Sequence, residues 1–105
     1  MTEESVLREE TPAGGEALVR TVVVSNQLGL HARPAAKLAQ EAQNYEADIM
    51  VVCESQEVDA KSILDVLTLA AVQGSVLELR ADGADAQAAL DSLESLFKNR
   101  FGEEK

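Results

Sequence analysis

The residues best suited to chemistry lie together in the segment Gly29-Leu30-His31-Ala32-Arg33-Pro34-Ala35. His31 is the only histidine of the chain, and a neutral imidazole nitrogen is a good nucleophile. Arg33 follows two residues later, and its planar guanidinium matches the geometry of phosphate oxygens. The segment therefore combines a nucleophile with a cation that can hold an anion, as a phosphate site requires.

The residues after His31 predict a helix that begins at Ala32, because small and apolar side chains recur at spacings of three and four. Pro34 falls in the first turn, where its missing N–H costs nothing. The first-turn N–H groups of Ala32, Arg33 and Ala35 are therefore expected to be available to an anion. The spacing fits equally well a surface histidine near a helix start beside a solvated arginine, so both interpretations stay open at this point.

The rest of the chain reads as strand, helix, strand, strand, helix, strand, helix. The predicted elements are Leu18–Ser25, Ala32–Asn44, Ile49–Cys53, a short strand to Asp59, Ser62–Ala70, Val76–Leu79 and one apolar stripe from Ala86 to Phe101. This order favours an α+β open-faced sandwich, with helices on one face of the sheet and solvent on the other. Alternation places Val23, Met50, Val52 and Val76 together on one face, and the register of the strands, which the sequence leaves open, decides whether that face is the outer one.

Composition narrows the classes of function. The chain has 105 residues and a formal charge of −10, which suits one small domain and makes nucleic acid an unsuitable partner. No apolar run is long enough to span a bilayer, and the N-terminus lacks the layout of a signal peptide, so we expect a cytoplasmic protein. We also expect it to be a monomer. Cys53 is the single cysteine, so no internal disulfide is expected, and one cysteine with one histidine argue against a structural zinc site. We expect no bound metal or other cofactor.

Residues 1–16 differ from the rest in composition. They hold five acidic residues and one basic residue, and Pro12, Gly14 and Gly15 break regular structure before the first strand. We therefore expect a flexible acidic tail at 1–16 and one folded domain at 17–105.

Two segments of this sequence resemble the signatures of HPr, the histidine-containing phosphocarrier of the phosphoenolpyruvate-dependent phosphotransferase system. Residues 29–35 resemble its active-site motif. Residues 58–64, Val-Asp-Ala-Lys-Ser-Ile-Leu, resemble the segment around its regulatory serine, and Ser62 lies at the separation from His31 that the family has. The resemblance extends over roughly residues 18–101, and the turn at 81–83 fits it as well.

The resemblance implies a β-α-β-β-α-β-α fold with a four-stranded antiparallel sheet covered on one face by three helices. It implies that Nδ1 of His31 is phosphorylated by phosphorylated Enzyme I and that the group passes to a histidine on an enzyme IIA domain. Arg33 would stabilise the phosphoryl group. The protein would then be a phosphocarrier with a phosphohistidine intermediate rather than a stand-alone enzyme, in sugar transport or in a nitrogen-type branch.

Ser62 has two interpretations. It can cap the second helix, since Ser62 and Asp65 form a pattern close to a capping box. By the resemblance it can also be a regulatory serine phosphorylated by HPr kinase/phosphorylase, although Asp65 stands where kinase-regulated members often have glycine. Ile63 and Leu64 are expected to form an apolar docking patch for partner proteins, with Lys37 and Lys61 at its rim.

Two other functions compete with the phosphocarrier. The first is a regulatory protein-binding module whose partner affinity is tuned by phosphorylation at His31 or Ser62. The presence of His31 beside Arg33 argues against a purely binding role. The second is a small hydrolase of the acylphosphatase type, which would need an asparagine placed to orient water, and the sequence ties none to Arg33.

Overall fold

Three of the four strands form from segments rich in valine and other apolar residues, because such side chains pack well on a pleated surface. The short third strand contributes one buried valine, Val58. The computed structural model describes residues 17–105 and places β1 at Leu18–Val23, β2 at Asp48–Cys53, β3 at Gln56–Asp59 and β4 at Val76–Asp82. They form one sheet in the order β1-β4-β2-β3, and every neighbouring pair is antiparallel. The tail expected at 1–16 lies outside the described residues.

Three helices connect or follow these strands, while β2 and β3 follow each other directly. They are α1 (Ala32–Ala42), α2 (Ile63–Thr68) and α3 (Ala86–Lys98), and a short 3-10 turn (Arg100–Gly102) follows α3. The order β-α-β-β-α-β-α and the open four-stranded antiparallel sheet confirm the fold predicted from the sequence.

The core lies between the helices and one face of the sheet. The buried strand residues on this face are Val22, Ile49, Val51, Val58, Leu77, Leu79 and Ala81. From the helices, the largest buried side chains are Leu38 on α1, Val66 on α2, and Leu90, Leu93 and Phe97 on α3. Burial of these aliphatic groups supplies the main driving force for folding in a chain with few aromatic residues.

The opposite face of the sheet carries the four side chains that alternation placed together. Val23 and Val76 are exposed and face each other across β1 and β4, while Met50 and Val52 on β2 are half-buried. Polar groups share this face, since Arg80 forms an ion pair with Glu78 at 3.0 Å. The observed register therefore places these four side chains on the face opposite the core.

The sequence prediction was wrong about where α3 ends. We expected one helix through Phe101, but α3 ends at Lys98, and both Arg100 and Phe101 have a positive φ of 54°. Phe101 is nevertheless buried and packs edge-on against Phe97, with ring centroids 4.9 Å apart. The Phe101 side chain thus lies in the core where a continuing helix would have placed it, although the backbone is no longer helical. The change in backbone direction turns the residues after Phe101 towards α1.

Strand lengths also differ from the sequence prediction. β1 ends at Val23 rather than Ser25, because Val24 bonds to the loop residues Gly74 and Ser75 instead of extending the ladder. β4 runs to Asp82 rather than Leu79, since it lies between β1 and β2 and pairs with both. A sequence pattern carries no information about which neighbours will extend a strand.

Candidate functional site

The loop between β1 and α1 brings the predicted site to the surface through a tight turn. The N–H of Gly29 donates to the carbonyl of Asn26 at 3.2 Å, and the N–H of Leu30 donates to the carbonyl of Ala71 at 3.0 Å. Gly29 has φ of +70°, and a Cβ there would overlap the backbone oxygen of Ala71. The turn therefore requires glycine both for its conformation and for its close approach to the segment before β4.

His31 is the N-cap residue of α1, with φ −75° and ψ −171°. Its side chain makes no capping hydrogen bond, so the imidazole does not occupy the N–H groups of the helix. Instead, Nε2 of His31 lies 2.7 Å from Oε2 of Glu103. The His31 side chain is 34% exposed, which leaves the ring accessible from solvent.

The first turn of α1 offers two backbone donors rather than the three expected. The N–H of Ala35 donates to the carbonyl of His31 at 3.0 Å and is not available, which corrects the sequence prediction. Within residues 17–105, the N–H groups of Ala32 and Arg33 have no acceptor. A helix N-terminus with free N–H groups is a favourable place for an anion.

Glu103 receives hydrogen bonds on both carboxylate oxygens. Nδ2 of the fully buried Asn26 donates to Oε1 at 3.0 Å and also to the carbonyl of Gly29 at 2.7 Å. Burial raises the pKa of the Glu103 carboxyl, but the hydrogen bonds from Asn26 and His31 and the nearby charges of His31 and Arg33 lower it more. The net result is a pKa below the ordinary value for glutamate, so this carboxyl is ionised at neutral pH.

The charge state of Glu103 settles the roles of the two ring nitrogens. An ionised carboxylate can only accept hydrogen bonds, so Nε2 of His31 must donate its N–H. The neutral ring then carries its lone pair on Nδ1. This tautomer leaves Nδ1 of His31, at the start of α1, with a lone pair that can form a bond.

The sequence analysis singled out His31 and Arg33, but it did not single out Glu103 and Asn26, which the structure places beside them. Glu103 is separated from His31 by 72 positions and from Asn26 by 77, and no periodic pattern links such distant positions. The sequence does mark Asn26-Gln27-Leu28-Gly29 as a turn, and the structure shows the Asn26 side chain donating to the carbonyl of Gly29 at 2.7 Å. Arg33 itself is exposed at the first turn of α1.

Of the four residues predicted for docking, two are exposed apolar side chains and two are lysines that bond to backbone carbonyls. Ile63 and Leu64 lie at the start of α2 and are both exposed, as a docking patch requires. Nζ of Lys37 donates to the carbonyl of Phe101 at 2.7 Å, and Nζ of Lys61 donates to the carbonyl of Tyr45 at 2.8 Å. Both amines thus hold parts of the fold together.

Ser62 is the N-cap residue of α2. Its Oγ accepts from the N–H of Asp65 at 3.2 Å, which is one half of a capping box. The other half is absent, because the N–H of Ser62 donates to the carbonyl of Asp59 at 3.1 Å and Asp65 bonds to the N–H of Asp59 at 3.4 Å. Ser62 thus caps α2 through the hydrogen bond that its Oγ accepts from Asp65.

Two further features of the described residues concern the binding of metal ions and the spanning of a membrane. Across the described part, residues 17–105, no three side chains of histidine, cysteine, aspartate or glutamate group together in a way that could bind a metal ion. In the same range, every helix is too short or too polar to cross a membrane.

Comparison with known proteins gives a consistent result. Residues 18–99 match the family PTS-HPr, described as "PTS HPr component phosphorylation site". The chain is 48% identical over 87 residues to the phosphocarrier protein HPr of Treponema pallidum, which covers 83% of this chain and 99% of that protein. It is 41% identical over 86 residues to the phosphocarrier protein NPr of Shewanella violacea, covering 82% of this chain and 94% of that protein.

A solved structure agrees with these relatives. The crystal structure of HPr-C-His from Thermoanaerobacter tengcongensis superposes with a TM-score of 0.81 at 39% sequence identity. The match covers 84% of this chain and 99% of that one.

Proposed function

Because this chain belongs to the HPr family, the phosphocarriers of the phosphotransferase system, we propose that Nδ1 of His31 accepts a phosphoryl group from phosphorylated Enzyme I. The group then passes to a histidine on an enzyme IIA domain. The observation that carries this proposal is the hydrogen bond from Nε2 of His31 to Glu103, which leaves Nδ1 as the nucleophile at the helix start.

The proposed step needs no further reagent. The lone pair on Nδ1 of His31 attacks phosphorus, a new N–P bond forms, and the N–P bond to the donor imidazole breaks, with its electron pair returning to that ring. Negative charge on the transferring oxygens is stabilised by Arg33 and by the free N–H groups of Ala32 and Arg33. Phosphoryl transfer depends mainly on such positioning and charge stabilisation.

The test is to incubate the protein with phosphoenolpyruvate, Enzyme I and magnesium and to measure its intact mass. We expect a gain of one phosphoryl group that is lost in acid and retained in base, as phosphohistidine requires, and no gain when Enzyme I is omitted. Labelling that survives acid, or no labelling by Enzyme I of either the sugar or the nitrogen type, would contradict the proposal. Comparing the two types of Enzyme I also decides the branch.

We further propose that Ile63 and Leu64 form the apolar part of the docking surface for Enzyme I. Their exposure at the start of α2 supports this role, since exposed apolar side chains of this size are favourable contact points in an interface. Ser62 lies directly beside them, and phosphorylation of Ser62 by HPr kinase/phosphorylase would place a charge at the edge of the patch.

A negative charge at Ser62 is expected to weaken docking without unfolding the domain. In the variant Ser62→Asp, the carboxylate lies at a helix N-terminus, where it is tolerated, but it must lose water when a partner covers Ile63 and Leu64. We expect a several-fold higher apparent KM for Enzyme I with a nearly unchanged Tm.

Ser62→Ala is the matched control, because it loses the capping hydrogen bond, worth about 1 kcal/mol, without adding charge. It should melt at a lower temperature and keep the parent KM. If Ser62→Asp accepts phosphate with the parent kinetics, Ser62 acts only as a helix cap.

A further inference from the structure

We propose that Glu103 is a positioning residue for phosphoryl transfer: it fixes the proton of His31 on Nε2 and stabilises the positive ring that forms when Nδ1 is phosphorylated. This inference rests on the proposed function and names a residue outside the predicted motif. Its starting point is the contact of 2.7 Å between Nε2 of His31 and Oε2 of Glu103.

The backbone delivers Glu103 to this position through a fixed turn. Phe101 is buried against Phe97, which anchors the segment that follows α3. The N–H of Gly102 donates to Asn99 at 3.0 Å, and the N–H of Glu103 donates to Arg100 at 2.9 Å. Lys37 on α1 adds a side-chain hydrogen bond to the carbonyl of Phe101 at 2.7 Å, so the turn is tied to the helix that His31 caps.

The carboxylate itself is held from two sides. Oε1 accepts from Asn26 at 3.0 Å while Oε2 faces His31, and the Glu103 side chain is only 15% exposed. Asn26 is fully buried and also bonds to the carbonyl of Gly29, so it links the carboxylate to the turn before His31. A carboxylate held in this way can fix the orientation of the imidazole ring and not merely its position.

The chemistry of the transfer gives the charge of Glu103 a second role. When Nδ1 of His31 forms the N–P bond, the proton on Nε2 stays in place and the ring becomes an imidazolium. A neighbouring carboxylate that accepts from Nε2–H stabilises this positive charge, and charge-assisted hydrogen bonds are stronger than neutral ones. The contact is therefore expected to strengthen during the reaction, which is the condition for lowering its barrier.

The experiment compares Glu103→Gln, Glu103→Ala and the control Glu104→Gln in the full chain. Glu103→Gln keeps the size and an acceptor oxygen but removes the charge, whereas Glu103→Ala removes both. Glu104 is the next residue, is exposed, and its substitution changes the net charge by the same amount as Glu103→Gln. Thermal melts of all variants check that the fold is retained.

The first readout is the 15N NMR spectrum of the imidazole ring, which is unambiguous because the chain has one histidine. For the parent and Glu104→Gln we expect the pattern of a ring protonated on Nε2 alone. For Glu103→Ala we expect shifts that indicate a mixture of the two tautomers. The second readout is the rate of phosphorylation by Enzyme I, which we expect to fall roughly ten-fold in Glu103→Gln, the scale of one charge-assisted hydrogen bond.

Two outcomes would overturn the proposal. One is a 15N pattern in Glu103→Ala that matches the parent. The other is a phosphorylation rate in Glu103→Gln that matches Glu104→Gln, since the contact would then only hold the C-terminal segment in place. If Enzyme I labels no variant, including the parent, the proposed function fails, and the 15N spectra still decide whether Glu103 fixes the tautomer.

Discussion

Replacing His31 with alanine is expected to abolish phosphorylation completely while leaving a folded domain. The chain has no other histidine, so no second imidazole can take over the transfer. The side chain of His31 caps no N–H group of α1, and Glu103 keeps its hydrogen bond from Asn26 after the substitution. We therefore expect a cost of only about 1 kcal/mol in the free energy of unfolding, within the ordinary range for a single substitution.

Intact mass after incubation with Enzyme I, together with a thermal melt, checks this prediction. Arg33→Ala is a useful companion variant, because it retains the nucleophile and should slow labelling without eliminating it. Normal labelling of the His31→Ala variant would show that the phosphoryl group resides elsewhere and would remove the basis of the proposed mechanism.

The variant Gly29→Ala is expected to be the most destabilising single-methyl change in the site. Its left-handed φ of +70° costs an alanine about 1–2 kcal/mol. The added Cβ also meets the backbone of Ala71 and Val72, and overpacking of this kind typically costs about 1–3 kcal/mol more. At about 4–8 °C per kcal/mol for a domain of this size, we expect Tm to fall by about 10 °C or more.

Gly74→Ala is the matched control for this prediction. Gly74 also has a positive φ, +91°, but a Cβ there meets no atom within 4 Å among the described residues. It should therefore show the conformational cost alone, about 1–2 kcal/mol. Equal losses of Tm in the two variants would mean that the β1–α1 loop moves to accommodate the extra methyl group. The close packing of Gly29 on Ala71 would then add nothing to the loss of stability.

The elements that sequence reasoning predicted well are those with a strong local signal. The spacing of Ala35, Leu38, Ala39 and Ala42 defines the buried face of α1, and these four residues are buried as a helix face requires. The placement of His31 at the N-cap follows from the start of that pattern and from Pro34 in the first turn. Such features depend on residues within one or two helical turns.

The features that could not be predicted depend on distant residues or on backbone conformation. The spacing between Phe97 and Phe101 is that of a continuing helix, yet two residues with positive φ break it, and neither is glycine. Glu103 reaches His31 only because of that break. The contact between Glu103 and His31 could therefore be predicted only if the turn after α3 were known. The sequence pattern predicted a continuing helix at that position.

The order of the strands has a consequence for how this chain folds. β2 and β3 are joined by a two-residue turn, so they can pair early at a small entropic cost. β1 lies at the edge of the sheet and pairs only with β4. The hydrogen bonds of β1, including those beside the pair Val23 and Val76, can therefore form only after β4 has been synthesised. Pairing between such distant segments is slow, because a long loop must close first. During synthesis the first strand therefore emerges without a partner, and its apolar side chains remain in water until most of the domain has been made.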